Sequence, residues 1–160
     1  MFMCGGFNYM EQYTKYMLEA IEEAKLAASI DEVPVGCVIV KDDKIVVGGC
    51  NQREQDNDPT GHAEIVALRR AAKILGDWQL VDCTLYVTIE PCIMCAGAII
   101  QSRIKRVVYG APDPRGGALG SSINVLEAVN INHRPEVVGG VRQEECAGFV
   151  KRYFKEKRKS

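Results

Sequence analysis

The run Thr84-Leu85-Tyr86-Val87-Thr88-Ile89-Glu90-Pro91-Cys92-Ile93-Met94-Cys95-Ala96-Gly97 leaves the chain few ways to fold. Its first six residues are β-branched, aromatic or aliphatic and read as a strand, which Pro91 ends. Beyond the proline the apolar residues fall at helical spacing through Ile99 and Ile100. Strand, sharp turn and helix therefore follow one another, with Cys92 and Cys95 one helical turn apart on one face. A helix start carries partial positive charge and unpaired N–H groups, and both favour thiolate over thiol. Thiolate binds metals and attacks disulfides, so the pair is either a metal clamp or a redox couple.

The rest of the chain supplies layers around this run. Tyr9 to Ser29 reads as an amphipathic helix, with Met10, Tyr13, Met17, Ile21, Ala24 and Ala28 on its apolar side. A hairpin follows Pro34, from Gly36 to Lys41 and from Lys44 to Gly48, turning at Asp42-Asp43. The polar stretch from Asn51 to Thr60 is a loop by composition. A second helix is expected from about His62 to Leu75, with Ile65, Leu68 and Ala72 on one stripe, and Arg106 to Tyr109 is a further strand. Gly110 to Ser122 reads as a loop, Asn124 to Val129 as a short helical piece, Glu136 to Val138 as a short strand, and 142–158 as a last helix. Strands interleaved with helices predict an α/β fold: a three-layer α/β/α sandwich around a mixed sheet of about five strands. The 160 residues suit a single domain, 1–160, with residues 1–8 loosely ordered.

Composition narrows the setting. With a formal net charge of −1, the total gives no argument for a nucleic-acid partner, which only local patches can provide. Cys4, Cys37, Cys50, Cys83 and Cys146 are scattered, several within apolar runs, unlike the spacing of a secreted disulfide framework. The first residues lack the basic and apolar regions of a secretory signal, and no apolar stretch is long enough to span a bilayer. A reducing, cytoplasmic location is expected.

His62-Ala63-Glu64 opens one helix as Cys92-x-x-Cys95 opens another. In sandwiches of this kind, helices that follow neighbouring strands start at one edge of the sheet, which would bring an imidazole and two thiolates together. Three protein ligands leave zinc a fourth position for water, the catalytic rather than the structural arrangement. Glu64 would lie close by as a proton carrier, and a ring carbon bearing an amino group could then be attacked and lose ammonia. Each half of the pattern has a plainer reading. H-x-E at a helix start arises by chance, and C-x-x-C after a strand also describes a thioredoxin-like thiol oxidoreductase. A non-catalytic RNA-binding module leaves Glu64 without a purpose.

Together, H-x-E followed by P-C-x-x-C matches the signature of zinc nucleobase deaminases. The resemblance extends to Glu32-Val33-Pro34-Val35-Gly36, Asn51-x-Arg53-Glu54 and Asn57-Asp58-Pro59-Thr60-x-His62-Ala63-Glu64. It continues through Ser102-Arg103-Ile104, Gly110-Ala111-x-Asp113, Gly117-Ala118-x-Gly120-Ser121 and Asn132-His133-Arg134. Over essentially Tyr9 to Lys157 the chain resembles the bacterial tRNA-specific adenosine deaminases of the cytidine deaminase superfamily. That resemblance implies one zinc ion per subunit held by His62, Cys92 and Cys95, with Glu64 as the catalytic proton shuttle. It implies that Asn51 contacts the target nucleoside, that the Ala63 backbone helps hold the attacking oxygen, and that Asp113 touches a neighbouring sugar hydroxyl. The implied partner is a tRNA anticodon stem-loop, deaminated at its wobble adenosine, and the implied assembly is a homodimer. A deaminase of free bases or nucleosides, guanine or cytosine, is the nearer alternative.

Three positions depart from the family pattern: Gly61 before the histidine, Cys37, and Pro112 beside Asp113. Glycine at position 61 would loosen the helix start by up to about 1 kcal/mol. In the basic C-terminal stretch, Lys155 and Arg158 are candidate RNA contacts, and Phe149, Val150 and Phe154 are expected to pack on the core. His133 is open to either role, holding a loop or meeting RNA.

Overall fold

A computed structural model describes residues 8–128 and 130–159. The expectation of a loose segment at residues 1–8 falls, for 1–7, outside the described residues; Asn8 caps the first helix, its side chain accepting from the N–H groups of Met10 and Glu11. In chain order the elements are α1 (Tyr9–Ser29), β1 (Gly36–Lys41), β2 (Lys44–Cys50), α2 (Ala63–Leu75), β3 (Cys83–Ile89), α3 (Ile93–Gln101), β4 (Arg106–Ala111), a 3₁₀ turn (Val125–Glu127), β5 (Glu136–Val138) and α4 (Gln143–Lys159).

The five strands form one mixed sheet in the order β2-β1-β3-β4-β5. β1 pairs antiparallel with β2 and β3, while β3–β4 and β4–β5 are parallel. The central strands carry apolar residues on both faces, so each face needs its own helical cover. Cys37, Ile39, Leu85, Val87 and Val107 meet α2 and α3 on one side. Val38, Val40, Tyr86 and Val108 meet α1 and the start of α4 on the other. The predicted three-layer sandwich is the observed one.

Four local readings change. β4 continues to Ala111, because Ile89 pairs with Ala111, so Gly110 belongs to the strand rather than to the loop. On α1, Tyr16, Ala20 and Ala27 are buried, whereas Met10 and Ala28 are exposed. On α2 the buried stripe is Ala63, Glu64, Ala67, Leu68 and Ala71; Ile65 and Ala72 sit at its edge, partly exposed. In α4, Phe149 packs against the α1-side core, but Phe154 is 45% exposed and stacks edge-on against Tyr153. Tyr153 takes the inward position, its hydroxyl donating to the Asp31 carbonyl.

Gly36 allows α1 to approach β1 closely. A Cβ there would lie 2.0 Å from the Ala20 carbonyl oxygen and 2.3 Å from the Ala24 nitrogen, both backbone atoms that cannot swing aside. Gly36→Ala should therefore destabilise the protein by about 1–3 kcal/mol, lowering Tm by about 2–4 °C per kcal/mol. Gly148 in α4 has nothing within 4 Å of an added Cβ, and Gly148→Ala should stabilise by about 0.5–1 kcal/mol. Thermal melts of the two variants check both signs.

Candidate active site

His62 and Cys92 hold equivalent positions. Each is the N-cap of its helix, with extended backbone (ψ 155° and 178°) and no side-chain capping bond of its own. Their side chains are thus directed beyond the helix ends, and the first N–H groups of α2 and α3 point the same way. Cys95 lies one turn further along α3 and is fully buried. The Sγ atoms of Cys92 and Cys95 are each 3.6 Å from Nδ1 of His62. All three donor atoms lie within 4.8 Å of one another.

This set fits zinc. Zn–S and Zn–N bonds of about 2.3 and 2.0 Å in tetrahedral array separate sulfur from nitrogen by about 3.5 Å. The two thiols are hydrogen-bonded to each other. The hydrogen bond from Cys95, with a second from His62, draws Cys92 down to about 3, while the same bond and burial hold Cys95 well above the thiol range. The Cys92 hydrogen bond raises His62. A divalent cation replaces these protons and makes both sulfurs thiolates.

Glu64 faces inward from the first turn of α2 and is 4% exposed. Burial pushes it up to about 7, against a hydrogen bond to its own backbone. A carboxyl poised there both takes and gives a proton near neutral pH. The site opens into a cavity of about 220 Å³ lined by His62, Ala63, Glu64 and Cys92, and by Asn51, Arg53 and Asp113. Cavities that enclose drug-sized ligands run to about 300–1,000 Å³, so this one suits a single base with the remainder of its molecule outside.

The sequence-named residues therefore come together: His62, Cys92 and Glu64 line the cavity with Asn51, Ala63 and Asp113, and Cys95, fully buried outside the lining, completes the donor cluster. Asn51 is held by its own loop, its Nδ2 donating to the Val33 carbonyl at 3.4 Å and its Oδ1 accepting from Arg53 N–H at 3.3 Å. Lys155 and Arg158 are exposed on α4, away from the cavity lining. His133 holds a loop, its Nε2 lying 2.6 Å from the Ile104 carbonyl oxygen. Gly61 precedes the cap and lies outside α2, so the expected propensity cost does not apply; a Cβ there would meet Arg53 and Asp58 backbone at 3.2 Å.

Two further carboxylates, Glu32 and Glu90, have roles that no local sequence pattern reports. Glu32 is fully buried and accepts from the N–H groups of Glu54 (2.5 Å) and Gln55 (3.0 Å), fixing the loop that carries Asn51 and Arg53. Glu90, 3% exposed, accepts from the loop that carries Asp113. Burial alone would raise Glu90, but hydrogen bonds from Ser121, Asp113 and Leu119 outweigh it and hold its carboxyl below the ordinary range. The available signal was a charged residue beside apolar neighbours at the end of a buried element.

The sequence profile of the cytidine and deoxycytidylate deaminase zinc-binding region matches residues 10–111. The chain is 47% identical over 150 residues to the tRNA-specific adenosine deaminase of Bacillus subtilis (strain 168), covering 94% of this chain and 93% of the relative. It is 46% identical to the tRNA-specific adenosine deaminase of Haemophilus influenzae, covering 90% and 84%. A solved structure from studies of A-to-I editing by tRNA:A34 deaminases superposes with a TM-score of 0.82 at 41% identity, covering 84% of this chain and 99% of that one. Guanine deaminase from Bacillus subtilis gives 0.59 at 34% identity, with coverages of 72% and 85%.

Loading the site must displace the Cys95 proton and the raised His62 proton, so zinc uptake should release protons and the zinc Kd should rise as pH falls. Calorimetry in two buffers of different ionisation enthalpy measures the release. Cys95→Ala should bring zinc well below one per chain by elemental analysis.

Proposed function

The chain belongs to the cytidine and deoxycytidylate deaminase zinc-binding family, and from that premise we propose that it hydrolyses adenosine to inosine at the wobble position of a tRNA anticodon. The observation that carries this reading is the donor cluster of His62, Cys92 and Cys95 next to a one-base cavity that His62, Cys92 and the buried Glu64 line. The likeness to tRNA-specific adenosine deaminases over more than nine-tenths of the chain selects the substrate.

His62, Cys92 and Cys95 would hold the zinc. Bound there, zinc supplies a nucleophile at neutral pH by making water far more acidic. Glu64 takes a proton from the attacking water on a carboxylate oxygen and delivers it to the departing amino nitrogen, so adenosine and water yield inosine and ammonia. Ala63 offers an N–H from the first turn of α2, which has no intrahelical acceptor, to the developing oxygen. Asn51, braced between Val33 and Arg53, meets the base edge, and Asp113 at the rim accepts from a 2′-hydroxyl of a neighbouring nucleotide. The wobble base lies in a loop, so it enters by flipping without opening a duplex.

Outside the cavity, α4 is tied to the turn that follows α1: Lys157 pairs with Asp31 at 2.8 Å, two residues from the cavity-lining Val33. On this reading the exposed Lys155 and Arg158 of α4 contact RNA phosphates. A homodimer through the outer faces of α2 and α3 accounts for Trp78 and Ile93, 59% and 63% exposed, and for the apolar groove of Ile65, Ala72 and Ala98. We read the whole chain as one deaminase domain working in the cytoplasm, in keeping with six free cysteines among the described residues.

Wild-type protein, incubated with an anticodon stem-loop bearing adenosine at the wobble position, should produce inosine. Glu64→Gln should lose at least about a thousandfold in turnover while retaining its zinc. Failure of zinc-loaded wild-type protein to form inosine would refute the reading. Lys155→Ala with Arg158→Ala should weaken stem-loop binding and flatten its dependence on salt, measured by titration at several ionic strengths. Trp78→Glu should shift sedimentation from dimer to monomer.

A further inference from the structure

Glu90 stands at the corner between β3 and the zinc-site turn, and its carboxylate gathers one loop, residues 113–121. One oxygen, Oε1, accepts from the Asp113 N–H at 3.2 Å and from the Ser121 hydroxyl. The other, Oε2, accepts from the N–H groups of Leu119 at 3.0 Å and Ser121 at 3.2 Å. The next carbonyl, that of Pro91, accepts from Ala118 N–H at 2.9 Å. Gly117 lets the loop close over the carboxylate, since a Cβ there would stand 2.5 Å from Cδ and Oε2 of Glu90.

Every group facing the carboxylate is a donor, so only an acceptor on both oxygens satisfies the loop; a glutamine amide would set its NH₂ against N–H groups. The loop runs between β4 and β5 without lying in the sheet, so its N–H groups need such a partner. Its first residue, Asp113, reaches the cavity wall that Glu90 also lines.

We infer that Glu90 is a positioning residue for RNA recognition, holding loop 113–121 so that Asp113 meets the nucleotide beside the target base. The inference rests on the anticodon reading above. Glu90 acts on bound RNA through Asp113, and its contribution should appear in KM rather than in the proton-transfer step.

The test is a double-mutant cycle on the stem-loop substrate, with zinc content measured for each protein. Glu90→Gln should raise KM by about tenfold, with kcat within about twofold and zinc still at one per chain. Beside Asp113→Ala the same change should add less than about twofold, because the two act as one unit. Amide exchange at Leu119 and Ser121 should accelerate in Glu90→Gln. Additive KM effects, or a fall in kcat or zinc with KM unchanged, would overturn the inference and tie Glu90 to the metal turn instead. If Glu90→Gln does not fold, Ser121→Ala removes a single donor and carries the same test. A KM rise that vanishes beside Asp113→Ala supports the inference, and an unchanged KM overturns it. Wild-type protein that forms no inosine removes the functional reading and this inference together; active wild type with an unaffected Glu90→Gln removes this inference alone.

Discussion

The site depends on two helices beginning side by side at one edge of a single sheet. β3 and β4 run parallel, so the chain between them must cross over one face, and α3 is that crossover. Its start lies where β3 ends, and α2 begins beside it on the same face of the sheet. His62 and Cys92 take the cap positions, where extended backbone aims side chains past the helix end and the helix field favours thiolate. Neither residue caps its helix through its side chain, which leaves imidazole and thiol available to a cation. First-turn N–H groups have no intrahelical acceptor, and on the reading proposed above that of Ala63 meets the developing oxygen.

A second theme is the burial of carboxylates in three different settings. Glu64 faces a cavity, and burial lifts it to about 7 against the opposing pull of its own backbone N–H, His62 and Cys95. Glu32 and Glu90 are as buried, yet each is surrounded by N–H donors from a neighbouring loop. A buried carboxyl with few donors around it is poised for proton exchange near neutral pH, whereas one ringed by N–H groups assembles a loop, and the number of donors decides which. Both assembled loops carry cavity residues, Asn51 and Arg53 on one side and Asp113 on the other. The walls of the cavity are fixed by backbone–carboxylate bonds, while its floor is fixed by the helix ends.

Much of this was legible in the residues. The bounds of α1 and the existence of the hairpin and of the strand before Pro91 follow from local periodicity and punctuation, although β2 runs two residues past Gly48 to Cys50 and β3 begins at Cys83, one residue before Thr84. His62 and the two cysteines were legible because their chemistry is rare and their spacing places them at helix starts. Legibility ended where partners are distant in sequence. Glu32 meets Glu54 and Gln55 across 22 and 23 residues, and Glu90 meets Leu119 and Ser121 across 29 and 31. No local pattern reports such pairings. On α4, Tyr153 and not Phe154 turns inward, because the Asp31 carbonyl offers a hydroxyl a partner. Gly110 looked like loop because glycine usually marks one, yet the parallel pairing of Ile89 with Ala111 draws it into β4.

Shared zinc motifs do not separate an RNA-directed deaminase from one acting on free bases; the walls around the one-base cavity must do so. The most direct test is therefore a comparison of kcat/KM for wild-type zinc-loaded protein on an anticodon stem-loop with wobble adenosine and on free guanine, adenosine and cytosine. The account predicts turnover of the stem-loop at a kcat/KM exceeding that of every free substrate by orders of magnitude. Turnover of free guanine or cytosine at a kcat/KM equal to or above that of the stem-loop would contradict it.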